Sequence, residues 1–143
     1  MVKRNIVIGV DPDVKKSGIA VYELGILKEL HNLDLMGFVH FCSMMKGQDC
    51  IFVIEDGNLI NGLYSRNRRD NKGIQHKISE GVGANKQRAK DLIEVVKYFG
   101  LPVIRRKPRK GNWADKRAIF EKVTGWKGRS NPETRSAAFF GYF

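Results

Sequence analysis

Two short runs decide most of what this chain can fold into. Ile6-Val7-Ile8-Gly9-Val10 and Ile51-Phe52-Val53-Ile54 are apolar at every position, and each gives way to acid at its carboxyl end, Asp11 in the first and Glu55-Asp56 in the second. An uninterrupted apolar run of this length reads as a strand covered on both faces, the kind found at the centre of a sheet with helices above and below. The carboxyl ends of such strands are held rigidly yet stay open to a ligand, so acids at two tips mark the place where chemistry is expected.

The rest of the pattern builds on that centre. Residues 18–22 read as a hairpin partner of the first strand, and residues 27–35, which alternate apolar and polar, as a third strand. Phe38, Phe41, Cys42 and Met45 at helical spacing, stopped by Gly47, predict a short helix over 38–45. Residues 56–73, rich in Gly, Asn and Arg and without a period, read as a long surface loop. A helix is predicted from about Asn85, with Ala89, Leu92, Val96 and Phe99 on one face and Gly100 as its stop. Residues 101–104 form a short strand leading into the basic stretch "RRKPRKGNW". Asn112 and Asp115 then resemble a helix start, with Ile119, Phe120 and Val123 as the buried side and Gly125 as the end. The last helix begins at Ser130-Asn131-Pro132-Glu133, where Ser130 and Glu133 have the spacing of a capping box. The expected fold is α/β: a central mixed five-stranded sheet, three antiparallel strands then two parallel, flanked by helices in one domain, 1–143.

Charge narrows the partner. The chain carries 26 Lys and Arg against 15 Asp and Glu, a formal net charge of +11, and nucleic acid is the expected anionic partner. A membrane span needs roughly 18 or more consecutive apolar residues and a surface anchor needs a basic amphipathic helix; neither pattern is present. Met-Val-Lys-Arg leads straight into a strand with no apolar leader, so an intracellular, cytoplasmic location is expected. Cys42 and Cys50 lack CxxC or a His in ligand spacing, and they read as reduced structural thiols. Gly81-x-Gly83 is no phosphate-binding loop, because Gly-Lys-Ser/Thr is missing.

Element order and motifs together resemble a known family. The order, with acids at the tips of the first and fourth strands, is similar to the RNase H-like fold. More narrowly, "IGVDPDVKKSGIAVYE" is similar to the first motif of RuvC-type Holliday junction resolvases, "IFVIED" to their second, and "SNPETRSAAFFGY" to their third, in which acids or a His at i and i+3 stand near the start of a final helix. "GVGANKQRAKDLIEVVKYFGLPVIRRKPRKGNWADK" resembles the intervening segment of phage and bacterial members. Two positions depart from the pattern: Asp13 stands where the family commonly has Gly, and Ser136 where it usually has a carboxylate.

The resemblance implies a crossover junction endodeoxyribonuclease, a hydrolase of DNA recombination and repair, acting as a two-fold homodimer on a two-fold substrate. Cutting a phosphodiester needs a nucleophilic water, charge shielding and leaving-group stabilisation, which two Mg2+ or Mn2+ ions supply. Hard ions prefer oxygen ligands. Strands lie about 4.8 Å apart in a sheet, so neighbouring strands in matched register let Asp11 and Glu55 converge on one ion, with Glu133 and the Ser136 hydroxyl completing the metal set.

Lys116, after the basic loop, is placed to steady the scissile phosphate beside the catalytic acids Asp11, Glu55 and Glu133. Lys15, Lys16, Arg66, Arg68, Arg69, Lys107, Arg109 and Lys110 fall in expected loops and form the expected phosphate track. Tyr64 and Trp113 are candidates for stacking on unpaired bases, Trp113 equally for the core. Each residue also has a structural reading: Asp11 as a turn opener before Pro12, Glu133 as a helix cap, and Asp13 and Asp56 as solvated loop acids. Two other functions share the features: a non-catalytic nucleic-acid-binding protein that lost its fourth acid, and an RNase H-like nuclease acting on hybrids or linear DNA.

Overall fold

Five strands form one sheet around the two apolar runs. The computed structural model describes the backbone of residues 4–59 and 72–143, and the side chains of all of these except 72–82. The strands are β1 (Ile6–Asp11), β2 (Ser17–Glu23), β3 (Ile26–Leu33), β4 (Cys50–Glu55) and β5 (Val103–Arg106), in the spatial order β3-β2-β1-β4-β5. Strands β1, β2 and β3 pair antiparallel, while β1, β4 and β5 run parallel. The β2–β3 turn is built on Leu24 (φ 50°) and Gly25 (φ 83°), the double left-handed pair that matches strand twist.

Alternation divides the sheet into two faces. Ile8, Val10, Ile19, Val21, Phe52 and Ile54 point to one side and pack against Phe38 and Cys42 of α1 (Leu35–Met45) and Leu92, Ile93 and Val96 of α2 (Lys72–Tyr98). Ala20, Tyr22 and Val53 point to the other, against Phe120 of α3 (Arg117–Thr124) and Ala137, Ala138, Phe139 and Phe140 of α4 (Pro132–Tyr142). Fully burying a side chain of the Ile or Phe kind contributes roughly 1.5–3 kcal/mol, so these two layers carry the fold. Among the described residues no helix is long and apolar enough to cross a membrane.

Several elements differ from their sequence expectation. Helix α2 begins at Lys72 instead of near Asn85, because each helical glycine costs only about 1 kcal/mol and a helix nucleated by its packed end propagates cheaply. Of the loop expected over 56–73, residues 72 and 73 belong to α2, Gly57–Leu59 form a short 3-10 turn, and 60–71 lie outside the described residues. In α3 only Phe120 is buried, while Ile119 and Val123 are 50% and 43% exposed, since this short helix touches the core along one narrow line. The α4 cap is Asn131 with Thr134, not Ser130 with Glu133: Asn131 Oδ1 accepts the Thr134 N–H and Thr134 Oγ1 accepts the Asn131 N–H, both at 2.9 Å. The helix starts one residue later than the expected box, which releases Glu133 from capping.

Helix α4 lies directly on the sheet because Gly9 and Gly18 have no side chain. A Cβ on Gly9 would run into the Ala137 carbonyl and stand 2.8 Å from the Gly141 nitrogen; one on Gly18 would run into the Glu133 carbonyl and stand 2.9 Å from the Thr134 nitrogen. The Tyr22 hydroxyl fastens the contact by donating to the Ala138 carbonyl at 2.7 Å. Gly9→Ala is expected to lower unfolding free energy by about 3 kcal/mol or to abolish folding. Gly83→Ala, whose methyl group meets nothing within 4 Å, is expected to be neutral or stabilising by up to about 1 kcal/mol. Urea denaturation measures both, and equal behaviour of the two variants would show that α4 does not rest on β1.

Candidate active site

The parallel register sets Val10 opposite Ile54, so Asp11 and Glu55 stand at the next step on adjacent tips. Strand alternation turns both towards α4. Their carboxyl groups are close enough to act on each other, and the Ser136 hydroxyl, one turn after Glu133 on α4, acts on the Asp11 carboxylate. Burial raises the pKa of both acids, and their mutual repulsion raises Glu55 further, while the Ser136 bond pulls Asp11 partly back. Each acid therefore resists ionisation beside the other, and the two titrate as a pair.

Glu133 stands at longer range, where its charge raises Asp11 together with that of Asp13. It lines a groove of about 500 Å³ with Asp13, Lys15, Lys16, Asn32 and Asn131. Among the described residues no three His, Cys, Asp or Glu side chains close on one point. The structure thus brings Asp11, Glu55 and Ser136 into contact and leaves Glu133 on the rim. The donor set is nevertheless all oxygen, with two carboxyls whose closeness a shared proton relieves, and a hard divalent cation in that proton's place fits the same chemistry.

The basic residues surround this tip unequally. The 12–16 loop closes on itself, with the Asp13 N–H donating to Ser17 Oγ at 3.1 Å and the Lys15 N–H to Asp13 Oδ1 at 2.9 Å. Arg88 on α2 braces it, donating to the Val14 carbonyl at 3.3 Å. Lys15 and Lys16 are left exposed at the groove, and Lys107, Lys110 and Lys116 are exposed on the loop after β5 and at the start of α3. Arg109 instead lies over the Phe139 and Phe143 rings, 5.7 Å from each centroid. Arg66, Arg68, Arg69 and Tyr64 lie outside the described residues. Trp113 is 4% exposed and packs on Phe120 and Phe139, the core alternative of its two readings.

One acid and one arginine change standing. Asp56 is not a solvated loop acid: it is 1% exposed, accepts from the Asn58 N–H and Nδ2, and pairs with Arg105 at 3.5 Å, so it builds the turn after β4. Arg106 pairs with Glu55 across β4 and β5, on the same face by alternation. Its Nε is buried without a hydrogen-bond partner. In the sequence Arg106 is one charge of the basic run "RRKPRKGNW". The signal was its place two residues after Ile104, whose side chain packs on the α4 face.

No family model and no curated protein matches the chain. Among solved structures it is similar to T. thermophilus RuvC in complex with a Holliday junction substrate, at 11% identity over 96% of this chain and 90% of that one, with a TM-score of 0.61. A second Thermus thermophilus RuvC structure matches at 12% identity over 96% and 91%, with a TM-score of 0.57. The sheet order and flanking helices define an RNase H-like α/β fold. Within that class, the chain has the fold of RuvC.

Because both carboxyl pKa values are raised on folding, the native state holds protons that the unfolded chain releases, and stability falls as pH climbs above the ordinary carboxylate range. The fall runs from the ordinary values near 4 through about 6 for Asp11 and about 8 for Glu55. Glu55→Gln removes this liability and is expected to exceed the unaltered chain in stability at pH 8 by on the order of 2 kcal/mol, the gain vanishing near pH 4. Denaturation midpoints across that range check it; parallel pH profiles would show that the fold does not raise the pKa of Glu55.

Proposed function

We propose that this chain is a divalent-cation-dependent endonuclease that hydrolyses phosphodiesters in four-way junctions or related branched DNA. The observation that carries the reading is the contact between Asp11 and Glu55 at adjacent strand tips of a RuvC-type sheet, beneath a helix that brings Glu133 and Ser136. Asp11 and Glu55 would hold Mg2+ or Mn2+, with Glu133 joining from the rim, and the ions, two in the proposed set, would supply an activated water and shield the charge of the cleaved phosphate.

The chain's own cations do the rest. Lys15 and Lys16 on one side of the tip, and Lys107, Lys110 and Lys116 on the other, bind backbone phosphates and fix the strand across the carboxyl pair. Arg106, facing the same way as Glu55, adds a fixed positive group beside them. A homodimer matches the two-fold symmetry of a four-way junction and gives paired cuts on opposite strands. A single domain of this size carries all these groups.

A second reading, a DNA-binding protein without cleavage, is favoured by Ser136 at the position of an acid and by Glu133 lying apart from the pair. Labelled four-way junction, linear duplex and RNA–DNA hybrid incubated with Mg2+, Mn2+ or EDTA separate the two. Metal-dependent nicking of the junction is expected, with Asp11→Asn reducing it at least about a hundredfold while binding persists. Tight binding without nicking, in Mn2+ as well, would establish the second reading. Replacing both Lys15 and Lys16 by Ala is expected to lower the slope of log affinity against log salt by about 1–2, measured by fluorescence anisotropy; an unchanged slope would remove that loop from the phosphate track.

A further inference from the structure

The loop between β5 and α3 is tied to α4 by two side-chain hydrogen bonds. Arg135, only 9% exposed, donates from Nε to the Ala114 carbonyl at 2.9 Å. Asn112 Nδ2 donates to Ser136 Oγ at 2.7 Å. The second bond has a defined direction, because Asn112 Oδ1 is already engaged: it accepts the Ala114 N–H, also at 2.7 Å. The amide nitrogen therefore faces Ser136, and since it has no acceptor capacity the serine hydroxyl must accept there. The hydroxyl's own proton is left free to turn to another acceptor, and the Asp11 carboxylate is the group on which this hydroxyl acts. Ser136 is 3% exposed, so water does not compete for that rotor.

We propose that Asn112 is a positioning residue: acting through the Ser136 hydroxyl, it holds the Asp11 carboxylate in the orientation that meets Glu55 and receives a divalent cation. The proposal rests on the nuclease reading above. It makes position 136, where the resolvases this chain resembles usually carry an acid, a directed hydrogen-bond donor to a ligand instead of a ligand itself. The 112–114 loop becomes part of the site, although none of its side chains reaches the carboxyl pair directly. Partners that orient a metal ligand typically change metal affinity by 10–100-fold when removed.

Mg2+ affinity by isothermal titration calorimetry, and the Asn112 side-chain amide resonances by 15N NMR without metal, test it in the full chain. Asn112→Ser retains an oxygen for the Ala114 N–H but is too short to reach Ser136, and Asn112→Ala loses both bonds. Asn112→Ser, Asn112→Ala and Ser136→Ala are each expected to weaken Mg2+ about tenfold. Asn112→Ala in the Ser136→Ala background is expected to add nothing. The two Asn112 amide protons are expected to be well separated in shift, and to converge in Ser136→Ala. Unchanged affinity in Asn112→Ser, or losses that add fully in the double variant, would overturn the positioning role. An unaltered chain that shows the amide signature yet binds no Mg2+ overturns the nuclease reading and the proposal with it. A missing signature in a chain that binds Mg2+ overturns the proposal alone.

Discussion

Helix backbone resting on strand backbone is the constraint from which this site follows. Without Cβ atoms at Gly9 and Gly18, α4 settles onto β1 and β2 at a distance no other residue permits, with the Ala137 and Glu133 carbonyls occupying the space a methyl group would need. That closeness sets where Ser136 and Glu133 stand relative to a carboxylate at the end of β1. A methyl group at either glycine would lift the helix and separate groups whose interactions extend over a few ångströms. Stability and site geometry therefore rest on the same pair of positions.

The two carboxyls show the opposite relation, in which the site works against the fold. Asp11 and Glu55 stand together in a place shielded from water, and both resist ionisation there. A proton relieves this in acid. Proteins tolerate such arrangements where rigid surroundings hold them, and here the sheet register and the Asn112–Ser136 bond do so. Asp56, the neighbouring acid, is the contrast: it is buried with Asn58 and Arg105 as partners. Adjacent acids at one strand end thus divide into one held against another carboxyl and one paired within a turn.

The formal charge of +11 is likewise not spread evenly in purpose. Lys15, Lys16, Lys107, Lys110 and Lys116 are exposed, whereas Arg109 is drawn onto Phe139 and Phe143, Arg135 of α4 is buried against the loop that carries Ala114, and Arg88 braces a loop. Lysines here face solvent, and several arginines are used in packing, as their flat, weakly hydrated guanidinium allows. Counting basic residues therefore overstates how many cations stand free at the described surface.

Strand identities, the mixed sheet and the approach of Asp11 to Glu55 were legible in the sequence. Apolar runs flanked by acid admit few alternatives, and the two-residue period of a strand carries side-chain direction along with it. Glycines at 9 and 18 were visible too, though not what they admit. Tertiary structure decided the start of α2, the transfer of the α4 cap to Asn131 and Thr134, the burial of Asp56, the orphaned Nε of Arg106 and the link from Asn112 through Ser136. Each depends on a partner far away in the chain or on a shift of one residue in a helix start. Local spacing records periodicity and backbone preference; it carries no information about which distant group will arrive to complete a hydrogen bond.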